Sequence, residues 1–376
     1  MAEEKVTKTK VILSFQPFPI LAQGGGARIL RRLVEGRQDE VIFFSFVDKI
    51  TKSKSTYLET AYVVFPSQKW WMRSYLRNIS DFFRNTLLYR FHARRIKAKV
   101  SKLQFDVLHI LDHGKYANIL TEWAQSKKIP IWVSFHDHFK TTDSLNNATK
   151  ALWVAACKRM VISKEMGEHY CELFGLKKYD IVTDGLKDFE ISPAKTTVDL
   201  PKLTIYFAGL LHFEYYQLFK TFCKALNVLS KQEGIRISLI LRGTQKLDFL
   251  DNASIDIDYR GFTTDQDFLK EEMDEADILY LPIKYDNEYF YKYSFSTKMV
   301  GYLGSPGHIF YHGPKEAAAA RFLEKHECGV ICDTLEPMLI VEKLKEVICD
   351  YTYSSAAKKV AYAKFKLKDM QKLFWS

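Results

Sequence analysis

The chain of 376 residues is 47% hydrophobic and 27% charged, a balance that excludes extended disorder. Its length is too great for one ordinary core and fits two domains at about 150 residues each plus connections. Lysine and arginine exceed aspartate and glutamate by 10, which points to an anionic partner, whereas no apolar run approaches the roughly 18 residues of a membrane span.

The opening residues MAEEKVTKTK carry no apolar stretch behind a basic start, so no secretory signal is expected. Strand-like runs at 11–15, 41–46, 62–65, 107–111, 129–135 and 160–162 are nearly continuously apolar, as parallel strands covered on both faces are. Helical periodicity fills 27–35, 70–103, 116–125 and 165–174 between them. From 188 to 202, Pro193, Pro201 and polar residues without a clear period mark a linker, placed at 191–202. The second half repeats the theme. Strands are predicted at 203–208, 236–241, 255–259, 278–282, 308–311 and 329–332, and helices at 215–230, 265–275, 297–303, 315–325 and 337–350. Such alternation predicts an α/β protein with parallel sheets and right-handed crossovers, in domains spanning 1–190 and 203–352. The cleft between two such domains is the expected ligand site. The cysteines Cys157, Cys171, Cys223, Cys328, Cys332 and Cys349 are scattered without metal-site pairing, so a reducing cytoplasm is expected.

Three segments of the first half carry chemistry. Gly24-Gly25-Gly26 follows the first strand and the loop Gln16-Pro17-Phe18-Pro19, then opens a helix. Consecutive glycines let a backbone approach a ligand, and a helix N-terminus favours anions. The same glycines suit a plain tight turn, since neither G-x-G-x-x-G nor a Walker lysine is present. His136-Asp137-His138 ends an apolar strand, where side chains that face a cleft belong. A histidine there orients a substrate or acts as a base with Asp137 as its partner; a surface loop with local hydrogen bonds is the plain alternative. Two histidines and one carboxylate do not complete a metal site.

Residues 69–102 hold ten bases, from Lys69 through Arg73, Arg77 and Arg84 to Lys102, against Asp81 alone. Trp70, Trp71, Phe82, Phe83 and Phe91 recur among them. A basic amphipathic helix of this kind reads as attachment to anionic lipid; a packed helix with a solvated basic face is the alternative. Nucleic acid is the competing anion, but no recognised motif accompanies it and none is expected as a partner.

In the second half, Ala276-Asp277-Ile278-Leu279-Tyr280-Leu281-Pro282 leads through an aromatic loop to Ser294-Phe295-Ser296-Thr297-Lys298, then to Gly301-Tyr302-Leu303-Gly304-Ser305-Pro306-Gly307. This resembles the donor-binding region of GT-B glycosyltransferases, in particular the retaining nucleotide-sugar enzymes of family 4, the glycosyl transferases group 1. That family has an A-D-hydrophobic-P strand, a Ser/Pro-Lys helix start and a Tyr-Leu-x-x-Gly-x-Pro close. Other segments resemble it in the same order. Gly24-Gly25-Gly26 is similar to its glycine-rich acceptor-side loop and Phe135-His136-Asp137 to its first-domain His-Asp. Val161-Ile162-Ser163-Lys164-Glu165-Met166 is similar to its V-x-S-x-x-M segment, Phe174-Gly175 and Asp184-Gly185 to its F-G and N-G elements. Tyr206-Phe207-Ala208-Gly209 looks like the strand and glycine turn that open its second domain.

The resemblance implies a GT-B fold, two Rossmann-like domains whose sheets face across a cleft, with a C-terminal helix over 353–376 crossing back to the first. It implies a hexosyltransferase-like, retaining enzyme that moves a sugar from a UDP- or GDP-sugar to a glycan or lipid-linked acceptor, in surface polysaccharide or glycoconjugate synthesis. Such an enzyme works in the cytoplasm or attached at the inner face of the membrane. The chain also departs from the family. Two glutamates eight positions apart are usual there, and the matching positions here are Tyr293 and Gly301; Leu210-Leu211 follows Gly209 where an Arg/Lys pair is expected.

Breaking the bond between a sugar and a nucleoside diphosphate develops negative charge on the leaving phosphate, which cations and helix N-termini stabilise. Lys298, in the first turn after Ser296 and Thr297, and Arg242, just before Gly243, are the candidate cations. No Asp-x-Asp signature ends a strand, so no obligatory metal or other cofactor is expected. Asp286 and Glu288 are substitutes for the missing glutamate. Tyr285, Tyr289, Phe290, Tyr291 and Tyr293 suit stacking on a base or sugar, or ordinary packing. The candidate site is therefore His136, Asp137 and Lys298 as catalytic residues. Gly209, Arg242, Asp286, Glu288, Ser296, Thr297 and Lys298 serve the donor, and Gly24, Gly25 and Gly26 the acceptor side. Two rivals stay open: a scaffold protein that lost catalysis with Gly301, and another sugar-nucleotide enzyme such as an epimerase.

Overall fold

The computed structural model describes residues 10–47, 56–64, 88–195, 201–250, 255–350 and 352–376. The chain divides into two units, Met1–Val182 and Thr183–Ser376. Each is α/β and Rossmann-like, built on one parallel sheet.

The first unit contains β1 (Ile12–Gln16), β2 (Val41–Val47), β3 (Leu58–Val63), β4 (Val107–Leu111), β5 (Ile131–Phe135), β6 (Lys158–Val161) and β7 (Asp180–Ile181), in the order β3-β2-β1-β4-β5-β6-β7. Every residue of β1, β4 and β5 is buried, which is why these runs read as continuously apolar. Of the helix predicted over 70–103, Tyr89–Val100 is helical. Lys69, Arg73, Arg77 and Arg84, with Trp70, Trp71, Phe82 and Phe83, lie outside the described residues. Helix Asn146–Ala155 is not among the predicted elements. Leu145 stands at its N-cap and no side chain caps it, so the usual start signal is missing.

The second unit contains β8 (Lys202–Ala208), β9 (Arg236–Arg242), β10 (Asp256–Arg260), β11 (Ile278–Pro282), β12 (His308–His312) and β13 (Val330–Cys332), in the order β10-β9-β8-β11-β12-β13. Alternate strand residues feed two cores. Phe207 and Tyr280 meet Phe219 and Phe222 of helix Tyr216–Glu233, where Phe222 stacks on Tyr280 with ring centroids 3.8 Å apart. Tyr206 and Leu279 join Met299 and Leu303 of helix Thr297–Gly304. Each large side chain fully buried this way contributes about 1.5–3 kcal/mol.

The C-terminal region forms two helices, Thr352–Lys364 and Leu367–Trp375, where one helix over 353–376 was expected. The break has a cause. Leu186 N–H donates to Phe365 O at 2.6 Å and Leu367 N–H donates to Leu186 O at 2.8 Å, so an extended segment takes the backbone groups between the helices. Lys358 donates to Leu303 O at 2.9 Å and to Ser305 O, satisfying carbonyls orphaned at the end of helix Thr297–Gly304.

Several segments that carry the resemblance are joints of this fold. Ser163 caps helix Lys164–Phe174 by accepting from Met166 N–H at 3.1 Å. Asp277 accepts from Thr204 N–H at 2.7 Å and pairs with Lys195 at 2.6 Å. Gly185 lies so close to Leu367 that a Cβ there would stand 2.6 Å from its Cα.

Candidate active site

In the first unit, β1 leads into a loop pinned at several points. Gln16 Nε2 donates to Phe18 O at 2.9 Å, Ile20 N–H to Glu59 Oε1 at 3.0 Å, and Arg31 Nη1 to Ile20 O at 2.6 Å and Ala22 O at 2.9 Å. Gly24 has φ +128°, and helix Gly25–Leu33 begins with neither a capping side chain nor an acid in its first turn. Its first N–H groups therefore keep capacity for a ligand. A Cβ on Gly26 would meet the Phe18 ring at 3.1 Å and His136 Nδ1 at 3.5 Å, so a larger residue here would have to push the Phe18 ring aside by a few tenths of an ångström.

His136 is the first residue after β5. It is buried, and among the described residues its Nδ1 has no hydrogen-bond partner. Burial, then repulsion from His113, pulls its pKa down to about 4, which leaves a neutral ring at pH 7. Asp137 is half-buried and acts on His113. His138 turns into the fold, where its Nδ1 accepts from Lys140 N–H at 3.2 Å and its ring lies 5.5 Å from that of Tyr170. Of the three residues, His136 is the one brought to the glycine loop.

Asp112 and His113, directly after β4, escaped notice in the sequence. Asp112 is buried and accepts from Thr149 Oγ1 at 2.8 Å. Burial raises its pKa to about 6, against hydrogen bonds from Thr149 and Ser144. Burial lowers the pKa of His113, and the carboxylates of Asp137 and Asp143 oppose the shift. The criterion that singles out 136–138, titratable residues just past an apolar strand, applies equally to Leu111-Asp112-His113.

In the second unit, β8 is followed by Gly209, whose φ of +130° suits glycine. Its N–H donates to Arg242 O at 2.8 Å and its carbonyl accepts from Thr244 Oγ1 at 2.8 Å. Lys298 lies over this turn, with Nζ 2.8 Å from where a Cβ of Gly209 would stand and 4.5 Å from the Phe207 ring centroid. It is half-buried, and desolvation lowers its pKa to about 8. Among the described residues no carboxylate pairs with it. Ser296 occupies the N-cap of this helix without a capping hydrogen bond, Thr297 is half-buried beside it, and a Cβ on Gly301 would meet nothing within 4 Å.

The other candidates are engaged elsewhere. Arg242 is 9% exposed, and it donates through Nε to Glu272 Oε2 at 2.8 Å, through Nη2 to Glu272 Oε1, and through Nη1 to Gly261 O. Arg260 shares Glu272 at 2.6 Å. The Arg242 guanidinium thus braces the turn after β10 instead of standing open to a phosphate. Asp286 lies 3.5 Å from Lys284 Nζ. Glu288 pairs with Lys292 inside a short helix, Glu288–Tyr293, which Asn287 caps and which replaces the expected loop. Within it Tyr289 and Tyr293 lie 6.3 Å apart, and Tyr285 donates to Asp333 Oδ1 at 2.9 Å.

No protein-family model matches the chain, and no curated protein matches it in sequence. Its likeness is to solved structures. HepE of Anabaena, crystallised with UDP and glucose, has a TM-score of 0.64 and 11% identity over 97% of this chain and 98% of that one. A UDP-forming α,α-trehalose-phosphate synthase from Burkholderia xenovorans, in complex with glucose-6-phosphate, has a TM-score of 0.64 and 12% identity, covering 97% and 98%. A glycosyltransferase from Rickettsia africae has a TM-score of 0.64 and 12% identity, covering 97% and 96%. At such identities the likeness is one of fold. The chain has the fold of the GT-B glycosyltransferases.

Proposed function

We propose that the chain is a hexosyltransferase-like, retaining glycosyltransferase. It moves a sugar from a UDP- or GDP-sugar to a glycan or lipid-linked acceptor, in surface polysaccharide or glycoconjugate synthesis. The observation that supports this most is Lys298, a half-buried ammonium held against the Gly209 turn with no anionic partner among the described residues. It stands beside the C-terminal end of β8, the edge at which open parallel sheets take ligands. Burying a cation without a counter-ion costs solvation, and a diphosphate offsets that cost. As the glycosidic bond to phosphate breaks, Lys298 and the helix start at Ser296 and Thr297 stabilise the charge left on the leaving group. Donor binding of this kind is in keeping with the UDP and glucose held by HepE of Anabaena.

In the first unit the neutral ring of His136 suits a sugar hydroxyl, as base or hydrogen-bond partner, with Asp137 beside it and the backbone at Gly24, Gly25 and Gly26 on the acceptor side. Nucleoside diphosphate released from UDP- and GDP-sugars tests the reading. Acceptor-dependent release with retained anomeric configuration is expected. Binding without release favours the scaffold alternative, and an altered sugar nucleotide formed without acceptor favours the epimerase alternative.

No described helix is long and apolar enough to cross a membrane. For a lipid-linked acceptor we place the attachment, at the inner face of the membrane, on helix Tyr89–Val100. Its outer face exposes Arg90, Arg94, Arg95 and Lys99, with Phe91 45% exposed and no acid on the helix. Each base near an anionic surface contributes about 1 kcal/mol, so changing Arg90, Arg94 and Arg95 to Glu should weaken binding to anionic vesicles about a hundredfold. Unchanged co-sedimentation would leave a soluble acceptor as the better reading.

A further inference from the structure

We infer that His109 is a positioning residue that sets the spacing between Gly26 and His136, an inference that rests on the transferase reading above. β4 lies between β1 and β5, and His109 in its middle is fully buried. Its Nδ1 lies 3.0 Å from Ser14 Oγ on β1 and its Nε2 lies 2.9 Å from Ser134 Oγ on β5. Ser14 gives its one hydroxyl proton to Gln16 Oε1 at 3.3 Å. With the ring proton on Nδ1, His109 donates to Ser14 Oγ and Ser134 donates to Nε2. Gln16 Nε2 then donates to Phe18 O at 2.9 Å. Four hydrogen bonds run in one direction, from Ser134 to His109, Ser14, Gln16 and Phe18.

Both ends of this chain arrive at the same glycine. The Phe18 ring lies 3.1 Å from where a Cβ of Gly26 would stand, and Ser134 stands two residues before His136, whose Nδ1 lies 3.5 Å from the same point. Ser14, Gln16, His109 and Ser134 are all buried, and the flanking positions of β4 are valine, leucine and isoleucine. An apolar residue at 109 would fill the sheet without the cost of burying polar groups. A fully satisfied polar network in its place fixes one geometry, and transfer is sensitive to displacements of a fraction of an ångström in the groups that hold substrate.

His109→Leu alone orphans two serine hydroxyls and can unfold the unit, so the test uses the full chain carrying Ser14→Ala, His109→Leu and Ser134→Ala together. The strut is then gone with no hydroxyl orphaned, and Gln16 Oε1 alone loses its donor. With glycine and histidine nitrogens labelled, the Gly26 amide and His136 ring signals should move in this variant. Its kcat should fall at least about tenfold with the donor KM within about twofold, while the chain stays folded with a melting temperature only modestly lowered by the orphaned Gln16 oxygen. His109→Gln, whose amide offers a donor and an acceptor, should recover most of the rate. Wild-type turnover in the triple variant, or unmoved Gly26 and His136 signals, would overturn the inference. If the unaltered chain transfers no sugar, the transferase reading fails by itself. The two signals then decide whether His109 sets the spacing.

Discussion

His136 and Lys298 occupy comparable places in the two units. One follows the end of β5 and the other lies over the turn after β8, and each keeps hydrogen-bonding capacity that the fold does not use. Burial acts on both in the same direction with opposite results. It takes the imidazole to about 4, well below neutrality, and the ammonium only to about 8, so the first is uncharged at pH 7 and the second still mostly charged. The first unit thus offers a neutral polar group and the second a cation without a counter-ion among the described residues. Pairing decides this more than composition does: Arg242 is also a cation at a strand end, and Glu272, 3% exposed, holds it. A neutral hydroxyl suits the first arrangement and a phosphate the second.

The contrast is open to attack from both sides. In the proposed function Lys298 meets phosphate as the ammonium, and its lowered pKa means that this form is present below about pH 8 and lost above it. The Kd of a nucleoside diphosphate should therefore rise about fivefold from pH 8 to pH 9 and approach tenfold per unit beyond, a rise that the nucleoside, lacking phosphate, should not share between pH 7 and pH 9. Calorimetric titrations that show a flat diphosphate profile would remove the charge from the argument. His136→Ala should lower transfer at least about tenfold and leave diphosphate affinity within about twofold. An equal loss of nucleotide affinity would mean that His136 serves the donor's phosphates as well. Gly301→Ala should have the smallest effect. No atom lies within 4 Å of its Cβ position, so the alanine should stabilise the helix by about 0.5–1 kcal/mol in denaturant melts, with diphosphate affinity unchanged. Weaker binding would show that the ligand needs bare backbone beside Lys298.

The strands were legible because burial on both faces leaves an unbroken apolar run, as in β4 and β5. Helix starts were legible where a side chain caps them, as Asp265 does for Gln266–Glu275, and lost where none does, as at Leu145. The two-residue β7 is too short to carry a period. At the candidate site, local logic reached His136 and Lys298, since each follows from its position at the end of a strand or the start of a helix. It could not reach Glu272, 30 residues beyond Arg242, or the serines 95 and 25 residues from His109. Those partners are set by strand order and helix packing, which no local pattern records. A histidine inside Val-Leu-His-Ile-Leu reads as a core residue until β1 and β5 are laid on either side of it.

The central claim is that the turn at Gly209 with Lys298 above it receives a nucleoside diphosphate. Melting temperatures of the wild-type chain and of Lys298→Ala, measured with UDP, GDP, uridine and guanosine, test it most directly, because a ligand bound only to the folded chain raises its melting temperature with concentration. One of the two diphosphates should stabilise the wild type, its nucleoside should do so far less, and Lys298→Ala should lose most of the diphosphate effect. Equal shifts from nucleoside and diphosphate in both proteins, or no shift with either diphosphate, would contradict the account.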